Sequence, residues 1–144
     1  MKIALISCVS QKQKLAEGEL VQAKCLYTSP LFIKAHAYAQ QLGVDKIYIL
    51  SAKHGLLEEY DKIGWYNETL LNKSAKECKD WANSVLDELK GKGHDLSKDT
   101  FCLLAGKKYY QYLIGEGKIE KAEYPYHGLK GIGYILSFLK SKIK

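Results

Sequence analysis

The sequence predicts an α/β domain with a mostly parallel sheet of about four strands, in three layers with helices on both faces of the sheet. Short apolar runs of strand length recur along the chain, and segments with helical spacing of apolar residues separate them. Strands that alternate with helices in this way form parallel sheets. With 144 residues, of which 47% are hydrophobic, the chain has the size and composition of a single globular domain, spanning 1–144.

The first strand and the first helix are predicted in the N-terminal third. Residues 2–8 (KIALISC) form an apolar run that ends in small polar residues, which is typical of a buried parallel strand that opens into a loop. Residues 9–27 show no strong period and are predicted to be a long loop, with one helical turn as an alternative for part of it. Ser29 as the cap and Pro30 at the first helical position begin a helix, and Gly43 ends it.

The middle of the chain adds the second strand and a long helix. The second strand, 46–51 (KIYILS), is followed by a turn and then by an irregular stretch at 56–72. Ser74 and Glu77 have the spacing of a capping box in front of an amphipathic segment, and Gly91 closes that helix.

The last third contains the remaining strands and two helices. Strands are predicted at 100–105 (TFCLLA) and 121–126, with a short Tyr-rich helix at 107–114 between them. The glycine-rich segment 128–133 then leads into a C-terminal helix.

The charge balance favours anionic partners, but only mildly. All 22 basic residues are lysines, and against 16 acidic residues they give a net charge of +6. The absence of arginine removes the planar group that grips phosphates and guanine edges through two hydrogen bonds. A coding preference for lysine explains the composition equally well.

Cysteine spacing and hydropathy exclude several classes of protein. The four cysteines lack C-x-x-C spacing and paired histidines, so we expect no metal site, and nothing requires an oxidising compartment. Cys8, Cys78 and Cys102 fall in apolar segments and are expected to be buried free thiols. No apolar run approaches the ~18 residues of a membrane span, and there is no P-loop or dinucleotide fingerprint. We therefore expect a cytoplasmic protein without a cofactor or a membrane partner.

Candidate binding residues follow from the rule that an open parallel sheet binds ligands beyond the carboxyl ends of its strands. Small and polar residues concentrate at the four predicted ends, and an aromatic segment lies in the loop after the second strand. The residues selected are Ser7, Cys8, Lys12, Ser51, Trp65, Tyr66, Asn67, Gly106, Tyr109, Gly128, Gly131 and Gly133. The residues expected to converge on one cleft are Ser7, Lys12, Ser51, Lys53, His54, Tyr66 and Gly106.

The candidate catalytic residues are His54, Lys53 and Glu68. An imidazole titrates near neutrality, so His54 suits acid–base chemistry; Lys53 either holds an anion or lowers the pKa of His54. Glu68 is its acidic partner. The alternative for His54 is a simple hydrogen bond across its turn.

The aromatic loop and the glycine segment each allow two interpretations. Trp65 and Tyr66 suit stacking on a base, and Asn67 suits reading its edge, but these residues equally suit anchoring the loop to the domain. The backbone N–H groups of 128–133 suit an anion site, while the glycines alternatively allow close helix packing.

Several segments resemble an uncharacterised family of small bacterial and phage proteins. They are Ser7-Cys8 with Lys12, LYTSPLF at 26–32, ILSAKHGLL at 49–57, YNETL at 66–70, LAG at 104–106 with Tyr109 or Tyr110, and GLKGIG at 128–133. More remotely, the layout resembles peroxide-stress YaaA-like proteins and the small α/β module of archaeosine synthase. That resemblance implies a nucleic-acid or modified-base setting and a distant likeness to uracil-DNA-glycosylase-type folds.

The leading hypothesis is an enzyme that acts on a nucleotide or nucleic-acid base, with the N-glycosidic bond as one site of reaction. The first alternative is a non-catalytic module that binds nucleic acid or a protein partner. The second is a small-molecule phosphate-ester enzyme. The oligomeric state is left open.

Overall fold

A computed structural model describes residues 1–7, 12 and 14–143. Cys8, one of the predicted binding residues, lies outside the described residues. The strands are β1 (Lys2–Ser7), β2 (Val21–Gln22), β3 (Lys46–Ser51), β4 (Gly55–Glu58), β5 (Lys62–Ile63), β6 (Thr100–Leu104) and β7 (Lys121–Glu123). The α-helices are α1 (Ala23–Leu26), α2 (Pro30–Gln41), α3 (Ala75–Gly91), α4 (Lys107–Tyr110) and α5 (Ile132–Lys142), and a 3-10 turn spans Leu70–Asn72.

The main sheet has five strands in the order β4-β3-β1-β6-β7. All neighbouring pairs are parallel except β3 and β4, which are antiparallel. The predicted α/β class and the mostly parallel sheet are thus confirmed. The prediction of an irregular stretch at 56–72 was wrong where β4 forms. Gly55 has a φ of +73°, a conformation natural to glycine, and reverses the chain so that β4 pairs back onto β3. Two further residues of that stretch form β5, which pairs with β2 in a small separate ribbon.

The centre of the sheet is β1, because its side chains are apolar on both faces. Ile3 and Leu5 join one core cluster with residues of α3, while Ala4 and Ile6 join a second cluster with residues of α2 and α5. All four of these side chains are fully buried. The predicted apolar runs at β1, β3 and β6 therefore lie at the centre of the sheet, as expected of strands covered on both sides.

The predicted helix starts are confirmed by their capping hydrogen bonds. The Ser29 hydroxyl accepts a hydrogen bond from the backbone N–H of Phe32, and Ser74 and Glu77 form a complete capping box at α3. Other boundaries differ from prediction: α4 ends at Tyr110 and β7 ends at Glu123. The long N-terminal loop contains one helical turn, α1, which the prediction allowed, and the short strand β2, which it did not include.

Two further expectations concern thiols and membranes. Cys78 and Cys102 are buried free thiols, as predicted. Within the described part of the chain, no helix combines the length and the apolar character needed to cross a bilayer.

Candidate functional site

A cavity of about 440 Å³ opens at the carboxyl edge of β1 and β6, and we call it the edge cavity. The residues selected from the sequence that line this cavity are Ser7, Lys12, Asn67, Glu68, Gly106 and Tyr109. Its apolar wall is formed by Leu31, Ala35, Leu71, Leu104, Ile132 and Ile135. The cavity forms here because β1 and β6 are neighbours in register, with Ile6 opposite Leu104, so that both strands end at the same level.

The edge cavity is cationic. Lys12, Lys107 and Lys108 line it together with a single carboxylate, that of Glu68. The Lys108 ammonium also donates a hydrogen bond of 3.0 Å to the backbone carbonyl of Lys73. The Glu68 carboxylate lies 3.8 Å from the Lys73 ammonium, an exposed pair that contributes little to stability. Three lysines against one glutamate favour an anionic ligand at this edge of the sheet.

A chain of buried hydroxyl groups adjoins the edge cavity. The Ser51 hydroxyl donates to the Tyr66 hydroxyl at 3.0 Å, and the Tyr66 and Tyr27 hydroxyls are 2.5 Å apart. The Lys12 ammonium lies 4.6 Å from the centre of the Tyr66 ring. Lys12 therefore contacts the hydroxyl chain and also lines the cavity.

His54 lies on the same side of the sheet, in the turn between β3 and β4. Its backbone N–H donates to the Ser51 hydroxyl at 3.0 Å, and its ring meets the Tyr66 ring edge-on, with centres 5.4 Å apart. Partial burial, and then the charge of Lys53, lower the pKa of His54 below its usual 6.5, while Glu68 acts in the opposite direction. Burial and Lys53 therefore favour the neutral form of the His54 ring.

The predicted cleft is divided between these two adjoining groups of residues. Ser7, Lys12 and Gly106 line the edge cavity, whereas Ser51, His54 and Tyr66 form the cluster beside it. Lys53 is exposed and lines no part of the edge cavity.

The aromatic loop differs from the expectation of two exposed rings. Tyr66 is only 4% exposed, so its ring is closed to a stacking base, and the alternative of a loop anchored to the domain describes it better. Tyr66 is buried because its hydroxyl has partners on Ser51 and Tyr27. Trp65 is 49% exposed and remains open to a ligand.

The predicted glycines of the 128–133 segment lie outside the edge cavity. Gly131 is the residue before α5, with a φ of +100°, and Gly133 lies in the first turn of that helix. Gly128 lines a neighbouring cavity. All three are exposed.

The structure adds residues that were not selected from the sequence. Lys108 and Tyr126 line the edge cavity, and the carboxyl-edge rule applied after β6 and β7 would have found both. Trp81 of α3 contacts both the end of β3 and helix α4. Its indole N–H donates to the Ser51 carbonyl at 2.8 Å, and its ring packs edge-on against Tyr109.

One protein-family model matches nearly the whole length of the chain. A model described as a family of unknown function, DUF6884, matches residues 3–141. The chain belongs to this family. The match takes in all the strands of the DUF6884 chain except for Lys2, the first residue of β1, and nearly all of α5, and so includes the carboxyl edge of the sheet. None of the curated proteins compared with it is significantly similar to this DUF6884 protein.

Proposed function

We propose that this DUF6884 protein binds a nucleotide or a nucleic-acid base in the edge cavity and acts on its N-glycosidic bond. The observation that carries the proposal is the combination of three lysines and an apolar wall in one cavity. Lysines attract phosphate, while an apolar wall accepts the flat face of a base. Cavities of about 300–1,000 Å³ hold small ligands and cofactors, and the edge cavity falls in that range.

The lining residues supply a role for each part of such a ligand. Lys12 and Lys107 are proposed to bind the phosphate through charge-assisted hydrogen bonds. Leu104 and Ile135 provide apolar surface for the base. The Asn67 amide, which both donates and accepts hydrogen bonds, suits the polar edge of the base.

The proposed acid–base groups are Glu68 and His54. Glu68 lines the edge cavity, so its carboxylate is placed to activate a water molecule next to a bound ligand. The charge of Glu68 favours the protonated form of His54, which links the two groups electrostatically. Cleavage of an N-glycosidic bond by water requires a proton for the departing base, and the protonated form of His54, which Glu68 favours, is proposed to supply it. The proton that Glu68 takes from the attacking water balances the proton that His54 gives up.

Binding is tested by titrating the protein with the common 5′-mononucleotides in a calorimeter at low salt. Lys107→Gln removes one cavity charge, and we expect it to weaken binding about tenfold, the value of one charge-assisted hydrogen bond. The matched control is Lys118→Gln, because Lys118 lies in a depression at the opposite edge of the sheet. Failure of every mononucleotide to bind at low salt would contradict the proposal.

Catalysis is tested by chromatography of the products formed from nucleotides and short oligonucleotides. We expect the wild-type protein to release the free base. Glu68→Gln and His54→Ala should each reduce the rate of this release at least 100-fold, while nucleotide binding persists. Release of inorganic phosphate instead would favour a phosphate-ester enzyme. Binding without any product would favour the non-catalytic module.

A further inference from the structure

A second cavity of about 240 Å³, which we call the side cavity, lies beyond the ends of β6 and β7. Tyr110, Tyr124 and His127 are among the residues that line it. None of them lines the edge cavity or has a part in the function proposed above.

The side cavity and the edge cavity are neighbours. Gly106, Lys107, Tyr126 and Ile135 line both of them. A ligand too large for one cavity would therefore extend into the other past the Lys107 ammonium and the Tyr126 phenol.

The Tyr126 hydroxyl lacks a partner that its burial calls for. Its oxygen is buried, and among the residues that the structure describes it has no hydrogen-bond partner. Burial raises the pKa of Tyr126, and its neighbouring titratable groups are the Cys102 thiol and the Tyr38 phenol, so the hydroxyl lies toward the buried core rather than in either cavity. Tyr126 therefore contributes its ring to the wall that the two cavities share, and the Lys107 ammonium is the charged group that lines both. An ammonium in that position suits a phosphate oxygen.

The side cavity also offers aromatic surface. The rings of Tyr110 and Tyr124 pack at a tilt with their centres 5.4 Å apart, and Tyr124 is 38% exposed. Nucleic-acid bases stack on exposed aromatic side chains of this kind without strong preference for one base.

We infer that the side cavity binds the neighbouring nucleoside of an oligonucleotide, with the linking phosphodiester held by Lys107. The inference rests on the proposed function and specifies its ligand as a polynucleotide rather than a free nucleotide. Tyr124 is the stacking residue for the second base.

The test compares each 5′-mononucleotide with the 5′-phosphorylated dinucleotide of the same base. We expect the dinucleotide to bind the wild-type protein at least tenfold more tightly. Tyr124→Ala should remove most of that advantage and leave the affinity for the mononucleotide unchanged. Tyr124→Leu keeps an apolar side chain without an aromatic face and should have the same effect. The matched control is Tyr60→Ala, which removes another exposed tyrosine, one contacted by Lys24 rather than by either cavity.

The possible outcomes separate this inference from the function on which it rests. Equal affinities for the two ligands would overturn the inference and leave nucleotide binding intact. A dinucleotide advantage that survives both Tyr124 variants would also overturn it, because the second unit would then bind elsewhere. Absence of binding by either ligand would contradict the proposed function and the inference together.

Discussion

Replacing Tyr126 with phenylalanine should make the protein more stable. The substitution removes one hydroxyl group and keeps the aromatic ring, which packs against the core cluster that α2 and α5 share. In the unfolded chain this hydroxyl is hydrated, whereas in the folded protein it is buried with no hydrogen-bond partner among the described residues. Folding therefore removes a hydrogen bond to water without replacing it.

The size of the effect follows from the cost of an unmade hydrogen bond. A buried group without a partner costs about 1–3 kcal/mol, and Tyr126 as a whole is only partly buried, so we take the lower end of that range. A gain of about 1 kcal/mol in the free energy of unfolding corresponds to a rise of about 0.5 M in the urea midpoint, at a denaturant slope of about 2 kcal/mol/M.

The assay is urea unfolding followed by circular dichroism, with Tyr134→Phe as the control. Tyr134 is 66% exposed, so loss of its hydroxyl should change stability by less than about 0.5 kcal/mol. A lower midpoint for Tyr126→Phe would refute the reasoning, because it would mean that the hydroxyl already has a stabilising partner.

Two further predictions concern the turn between β3 and β4. Gly55→Ala should destabilise the protein by about 1–2 kcal/mol, because φ is +73° and the new Cβ would lie 2.6 Å from the Glu88 carboxylate. Gly91→Ala, which has open space around it in α3, should leave the free energy of unfolding unchanged or raise it. Thermal unfolding measures both variants. His54 should titrate below 6.5 by NMR, so the unfolded chain takes up its proton first as pH falls. The free energy of unfolding should therefore decrease below about pH 6.5, and it should decrease less in His54→Asn. An NMR titration midpoint above 6.5 would contradict the burial of the His54 ring.

The parts of the fold that sequence reasoning recovers are those decided by local patterns. β1, β3 and β6 are continuous apolar runs because both faces of each strand are covered, and the starts of α2 and α3 carry their own capping residues. β4 was not recovered, because four residues directly after a turn give no periodic signal. Its pairing depends on the backbone conformation of Gly55.

The candidate site divides in the same way. Ser7, Lys12, Gly106 and Tyr109 could be grouped in advance, since they follow neighbouring parallel strands and such strands end at a common edge. The burial of Tyr66 could not be predicted, because its hydroxyl partners are 15 and 39 residues away along the chain. Only the assembled fold brings those three hydroxyl groups together.

The position of β1 at the centre of the sheet has a consequence for biosynthesis. β1 is made before either of its partners, yet it pairs with residues 46–50 on one side and with residues 100–104 on the other. At about 5–20 residues per second, roughly 5–20 s separate the synthesis of β1 from that of β6. During that interval one backbone edge of a strand with four consecutive apolar residues, Ile3 to Ile6, has no partner, which exposes the nascent chain to chaperones and to aggregation. The strand at the centre of the folded sheet is thus the one that waits longest for its last neighbour during synthesis.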